Sequence, residues 1–152
     1  MKLIVGAGER QEPGWTHHDV VEMPGIDIVC EMMDLPKKVE PDSVEEIQAT
    51  HVLEHFPMAK VPELFKMLYD LLAPGGQIYI EVPNFLWHGR EIVKNPYNRQ
   101  IVEYAYGGQK DKWDFHMNGF TPQILQQDLE EAGFEVTELH NLSSIECRAV
   151  KK

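Results

Sequence analysis

Two imidazoles and a carboxylate stand close together in His51-Val52-Leu53-Glu54-His55. The spacing matches the His-x-x-Glu-His pattern of inverted zinc proteases, where both histidines ligate from one helical face. Here an apolar strand pattern leads straight into the motif and Pro57 follows it, which leaves no room for that helix. The sequence therefore predicts no metal at His51 and His55. It gives Glu54 and His55 a structural role, capping the next helix or bonding the loop. Other chemistry-bearing residues are spread along the chain: Gly6-Ala7-Gly8, Asp19, Glu31 and His116. His116 lies among aromatics, where it serves either as a general base near neutral pH or as a packing residue. His17 and His18 are neighbours on a strand pattern, so they face opposite sides and cannot both hold one ligand.

The elements that must position these residues alternate between strand and helix. Residues 2–5 form a short apolar run, and Gly6-Ala7-Gly8 turns the chain. Pro13-Gly14 rules out a normal helix before the second strand, Thr16 to Val21. Ile26 to Met32 reads as a third strand ended by Leu35-Pro36, and Glu45 to Thr50 as a fourth. Residues 58–73 carry one apolar stripe, Val61, Leu64, Phe65, Leu68, Leu71 and Leu72, at helical spacing. Gly75-Gly76 then break the chain before a fifth strand, 77–83. Residues 84–119 have no clean period and many aromatics, with some helix expected around Ile92 or Gln100–Tyr106. Thr121-Pro122 is an N-cap with proline in the first helical position, opening a helix that runs to Ala132. Glu135–His140 and Ile145–Val150 read as a closing antiparallel pair. The pattern predicts a mostly parallel sheet covered on both faces.

In open sheets of this kind the ligand sits at the carboxyl ends of the strands. The residues at those ends suit the parts of an adenosine ligand. Glycines let it approach the backbone. A carboxylate after the second strand can accept from both ribose hydroxyls, and one after the third from the adenine amino group.

The chain has 152 residues, 43% of them hydrophobic and 26% charged, which suits one domain with a core. Its net charge of −11 with no basic stripe disfavours nucleic acid as a substrate. It has no run of 18 or more apolar residues, so no membrane span is expected, nor a signal peptide before the strand at Lys2. Cys30 and Cys147 lack metal-type spacing and read as buried reduced thiols, which fits a cytoplasmic setting.

Taken in order, Val5-Gly6-Ala7-Gly8, Pro13-Gly14-Trp15 to Asp19, Glu31 to Pro36, Asp42 to Ile47, His51 to His55, Leu72 to Gly76 with Val82-Pro83, Gly119-Phe120-Thr121 and Glu131 to Phe134 resemble a small class I S-adenosylmethionine-dependent methyltransferase of the type 11 methyltransferase-domain group. The likeness spans nearly the whole chain. It implies an α/β, Rossmann-like methyltransferase sandwich with a final antiparallel strand and strand order 3-2-1-4-5-7-6. It also implies S-adenosylmethionine as cofactor and a small-molecule acceptor. By resemblance Gly6, Ala7 and Gly8 face the methionine half, Asp19 holds the ribose, and Glu31 and the Met32 backbone hold the adenine. His51 closes over the cofactor. Residues 84–119 form a lid over a single 1–152 domain, and His116 lies near the transferred methyl. The chain departs from the family between its first two strands. The usual helix is missing there, and Arg10 could take its place in holding the cofactor carboxylate. The missing cover suggests self-association. A nicotinamide-dependent oxidoreductase and a non-catalytic cofactor-binding subunit are the alternative readings.

Overall fold

In the computed structural model, which describes residues 1–152, seven strands form one sheet in the order β3-β2-β1-β4-β5-β7-β6. The strands are β1 (Lys2–Val5), β2 (Thr16–Asp19), β3 (Ile28–Val29), β4 (Val44–Thr50), β5 (Leu72–Pro83), β6 (Phe134–Asn141) and β7 (Ser144–Lys151). The first five pair in parallel, and β7 runs antiparallel to both β5 and β6. The order and the antiparallel closure are those expected from the sequence.

Helix α1 (Val61–Leu71) buries Val61, Leu64, Phe65, Leu68 and Leu71, the stripe set by its spacing. In α4 (Pro122–Ala132) the Thr121 hydroxyl accepts from Ile124 N at 3.2 Å, so one otherwise orphaned amide is satisfied. Two helices lie in the aperiodic stretch, α2 (Phe85–Lys94) and α3 (Arg99–Tyr106), where some helix was expected.

Two local expectations are corrected. The second and third strands are shorter than the sequence suggests. Val21 N donates to Asp19 Oδ1 at 2.9 Å, and this side-chain turn closes β2 at Asp19. That leaves β3, an edge strand, only His18 and Asp19 to pair with. Its expected end, Leu35-Pro36, falls inside a 3-10 turn, Met32–Lys37.

The larger correction concerns cover. Helices α1 and α4 and the 3-10 turn pack together and share one core with alternate residues of the sheet. The register places those residues in rows: Leu3, Ile47, Ile78, Ala149 and Val136, then Val5, Ala49, Ile80, Cys147 and Leu139. The rows of the opposite face read Lys2, Glu46, Gln77, Val150 and Glu135, then Ile4, Gln48, Tyr79, Arg148 and Glu138, then Thr50, Glu81, Glu146 and His140. Of these only Ile4 is buried, and the others are half-buried or exposed. The sheet is thus covered on one face only, because the connections after β1 and β2 contain no helix. The open face is held by polar contacts. Lys2 and Glu46 pair at 2.8 Å, and the Arg148 guanidinium sits 5.1 Å from the Tyr79 ring centroid. Trp15, from the short connection, lies against Lys2 on this side, with the ammonium 5.2 Å from its ring centroid.

Candidate functional site

The carboxyl ends of β1, β2 and β4 open into a cleft of about 390 Å³, within the range of small-molecule sites. Gly6 forms its floor with φ at +64°, where a Cβ would lie 2.4 Å from Val52 Cγ2, so no other residue fits without movement. Gly8 is also left-handed, and a Cβ there would meet nothing within 4 Å. Its amide donates to Asp19 Oδ2 at 2.8 Å. Asp19, almost fully buried at the end of β2, therefore ties the glycine turn to its own strand and still lines the cleft. Each of its oxygens keeps a free lone pair for a further donor. Glu31 and the buried Met32, at the start of the 3-10 turn, line the same cleft.

His51 follows β4 with φ at +52°, a conformation that costs a non-glycine residue about 1–3 kcal/mol. Its amide donates to Glu81 O at 2.8 Å, which helps hold it there. The ring stands between two carboxylates, with Nδ1 3.4 Å from Glu54 Oε1 and Nε2 3.4 Å from Glu81 Oε1. Glu54 foremost, with Glu81 adding to it, raises the imidazole above its usual range against the opposing effect of burial. On the far side of the cleft, burial pushes His18 down, and its Nε2 lies 2.9 Å from Cys30 O.

The segment 107–119 is pinned to the turn after β4. Met117 N and Asn118 N both donate to Glu54 O, at 2.9 and 3.1 Å. His55 Nδ1 lies 3.0 Å from Phe115 O, and the rings of His55 and His116 meet edge to face at 4.9 Å. This brings Lys112, Trp113, Phe115 and Met117 into the cleft wall. His116 faces a separate cavity of about 10 Å³, lined also by Glu54, Tyr104 and Asn118. Glu54 is 2% exposed, and neither of its side-chain oxygens has a hydrogen-bond partner. It caps no helix, so of the two structural roles given to it from the sequence only bonding the loop is seen, through its backbone oxygen.

Of the residues singled out in the sequence, Gly6, Gly8, Asp19, Glu31, Met32 and His51 line one cleft. Ala7 is buried behind the turn, its amide donating to His18 O at 2.9 Å. His116 lies outside the cleft wall. Arg10 also lies outside it, paired with Glu12 at 2.7 Å. Lys112 lines the cleft wall instead, its ammonium 4.5 Å from the Trp113 ring centroid. The sequence missed Lys112 and His18. Lys112 sits in a segment without period, and its neighbour Trp113 was the one available signal. His17 and His18 do face apart as expected, with His17 Nδ1 3.3 Å from Asp27 and out of the cleft.

A family model described as a methyltransferase domain matches residues 10–139. The fold is similar to that of an S-adenosylmethionine-dependent methyltransferase from Methanosarcina mazei, with TM-score 0.71 and 16% identity, covering 98% of this chain and 91% of that one. One from Archaeoglobus fulgidus gives TM-score 0.68 at 15% identity, over 98% of this chain and 85% of that one. The Burkholderia thailandensis 1,6-didemethyltoxoflavin-N1-methyltransferase, solved with 1,6-didemethyltoxoflavin and S-adenosylhomocysteine, gives TM-score 0.65 at 15% identity, over 99% and 71% of the two chains. What these structures share with the chain is the fold. No curated protein matches the sequence.

Proposed function

The chain belongs to the methyltransferase-domain family, and from that premise we propose that its cleft binds S-adenosylmethionine and that the protein transfers the methyl group to a small-molecule acceptor. The observation that carries this reading is the cleft itself. A glycine turn, a strand-end carboxylate, an exposed carboxylate and a buried apolar wall meet at the ends of β1, β2 and the 3-10 turn, as an adenosine-bearing ligand requires. The bound cofactor supplies a methyl group on a sulfonium, ready for in-line displacement.

The chain's own residues bind and orient. Gly6 and Gly8 face the methionine half with Ala7 buried behind them, and the missing side chain at Gly8 leaves the backbone open. Asp19 accepts from the ribose hydroxyls with the lone pairs its two amide contacts leave free. Glu31 and the Met32 backbone hold the adenine. Lys112 is the cation of the cleft wall, and it suits the cofactor carboxylate. His51 stands between this half and the acceptor side. Residues 112–117 cover the acceptor side, exclude water and fix the approach of the acceptor. The single domain with its 84–119 lid is part of this reading, and His116 belongs to the acceptor side.

The connection after β1 also weighs against a nicotinamide dinucleotide. Such a ligand rests its pyrophosphate on the N-terminus of the helix that follows the glycine turn. Here no helix lies between β1 and β2. No helix of the chain is long and apolar enough to cross a membrane.

Hydrogen exchange with and without S-adenosylhomocysteine tests the reading. Slowed exchange is expected at 6–9, 19–21, 51–55 and 112–117. Protection confined to 6–21 and 51–55, with 112–117 unchanged, would remove the lid. No protection anywhere would remove the proposed site.

A further inference from the structure

Glu54, His55 and His116 come from two distant segments, and their ligand atoms all lie within 4.8 Å of one another. An ionised carboxylate buried without a hydrogen bond is costly, and Glu54 has none on either oxygen. Its nearest basic neighbours are imidazoles, His51 at 3.4 Å and His116 at 3.8 Å. The other two rings are set for ligation. His55 Nδ1 lies 3.0 Å from Phe115 O, and His116 Nδ1 lies 2.8 Å from Tyr104 O. A carbonyl oxygen only accepts, so each Nδ1 carries the proton and each Nε2 keeps a lone pair. Metal-binding histidines are oriented in this way, through a bond from the other ring nitrogen. The cavity of about 10 Å³ beside Glu54 and His116 has the size of a single water or ion.

We propose that Glu54, His55 and His116 form a binding site for one divalent transition-metal ion at the edge of the cofactor cleft. Two imidazoles and one carboxylate suit Mn²⁺, Fe²⁺, Co²⁺ or Zn²⁺ better than Ca²⁺. Bonds of roughly 2.1 Å put ligand atoms about 3–4 Å apart, so the three side chains close by about an ångström on binding. Three protein ligands leave open positions, and through His55, which lines the cleft, the proposal gives these positions to the acceptor. The ligand class is a small molecule with a hydroxyl that coordinates the ion. This last step rests on the methyl-transfer reading. The ion favours loss of the hydroxyl proton to water. The oxygen–methyl bond then forms as the sulfur–methyl bond breaks. The electron pair of the broken bond stays on sulfur, which becomes a neutral thioether. The sequence argument against zinc concerned His51 and His55 on one helix. The third ligand, His116, becomes visible only because 107–119 is hydrogen-bonded to the Glu54 backbone.

Chelator-stripped protein titrated with MnCl₂ tests the site, with bound ion read from the loss of the free Mn²⁺ resonance in electron paramagnetic spectra. One ion per chain is expected, and His116→Ala and His55→Ala should each weaken it by at least about tenfold. His116→Gln and His55→Gln keep the side-chain bulk where an alanine variant melts early. Well under one ion per chain, or equal affinity in the folded variants, would overturn the site. With S-adenosylmethionine added, bound Mn²⁺ should broaden the S-methyl proton signal in the wild type and not in His116→Gln, with Mg²⁺ as the diamagnetic control. An unbroadened signal with both ligands bound would overturn the ion's role toward the acceptor. Calorimetry of the metal-free protein with S-adenosylhomocysteine separates the two readings. Cofactor binding without Mn²⁺ binding removes this proposal and leaves methyl transfer standing. Mn²⁺ binding without cofactor binding removes the acceptor step and leaves the metal site.

Discussion

At the scale of single residues, Asp19 does two jobs that a measurement can separate. It holds the amides of Gly8 and Val21, at 2.8 and 2.9 Å, and in the proposed function it also holds the ribose. Asp19→Ala should cost about 2–4 kcal/mol of cofactor affinity, the loss of charge-assisted hydrogen bonds. Asp19→Asn keeps an acceptor for one amide, so it serves as the control for loosening of the turn. An unchanged dissociation constant in a folded Asp19→Ala protein would assign the ribose to another residue. The cleft residues that the sequence made legible are those fixed by strand ends: Gly6, Gly8, Asp19, Glu31, Met32 and His51. A strand end sets a side chain's place to within a residue or so, which a pattern can resolve. The closeness of Glu54 and His116 was not legible for the opposite reason. Their relation depends on Met117 N and Asn118 N donating to Glu54 O across a long segment, and no local spacing encodes that pairing.

At the scale of elements, the one-sided sheet makes a sharp contrast between neighbouring strand residues. Ile47 lies in the core and Gln77 on the open face. Ile47→Ala should destabilise by about 2–5 kcal/mol, through lost burial and a cavity. Gln77→Ala should stay within about 0.5 kcal/mol, as for a solvated surface position. Denaturant melts of the two variants check this, and a large loss at Gln77 would mean that the face is covered in solution. The open face was in fact written in the sequence. Glu46, Gln48 and Thr50 alternate with Ile47 and Ala49, and Gln77, Tyr79 and Glu81 alternate with Ile78 and Ile80. Strands of a doubly covered parallel sheet read as continuous apolar runs, whereas this period of two marks a half-buried strand. The βαβ order led to an expectation of two layers of helix, and the alternation inside each strand was the better guide. Strand order was legible through the family resemblance, which implied the order 3-2-1-4-5-7-6 that the sheet adopts. The helices within 84–119 were legible only in part, because α2 and α3 each bury just one residue and show no long apolar stripe.

At the scale of the whole molecule, the chain keeps the layer that builds the cleft and lacks the helices after β1 and β2. Helices α1 and α4 hold the sheet from one side, the glycine turn and β2 carry the cofactor groups, and 107–119 closes the far wall. The open face carries two ion pairs, Lys2 with Glu46 and Arg148 with Glu138. The shortened half still has to bind its cofactor without a helix terminus, and the central claim is that the cleft does so. Calorimetric titration of the purified protein with S-adenosylhomocysteine tests that claim most directly. The account predicts saturable binding with one site per chain, and no competing heat from a nicotinamide dinucleotide. No heat with either S-adenosylmethionine or S-adenosylhomocysteine, alongside saturable binding of the nicotinamide dinucleotide, would contradict it.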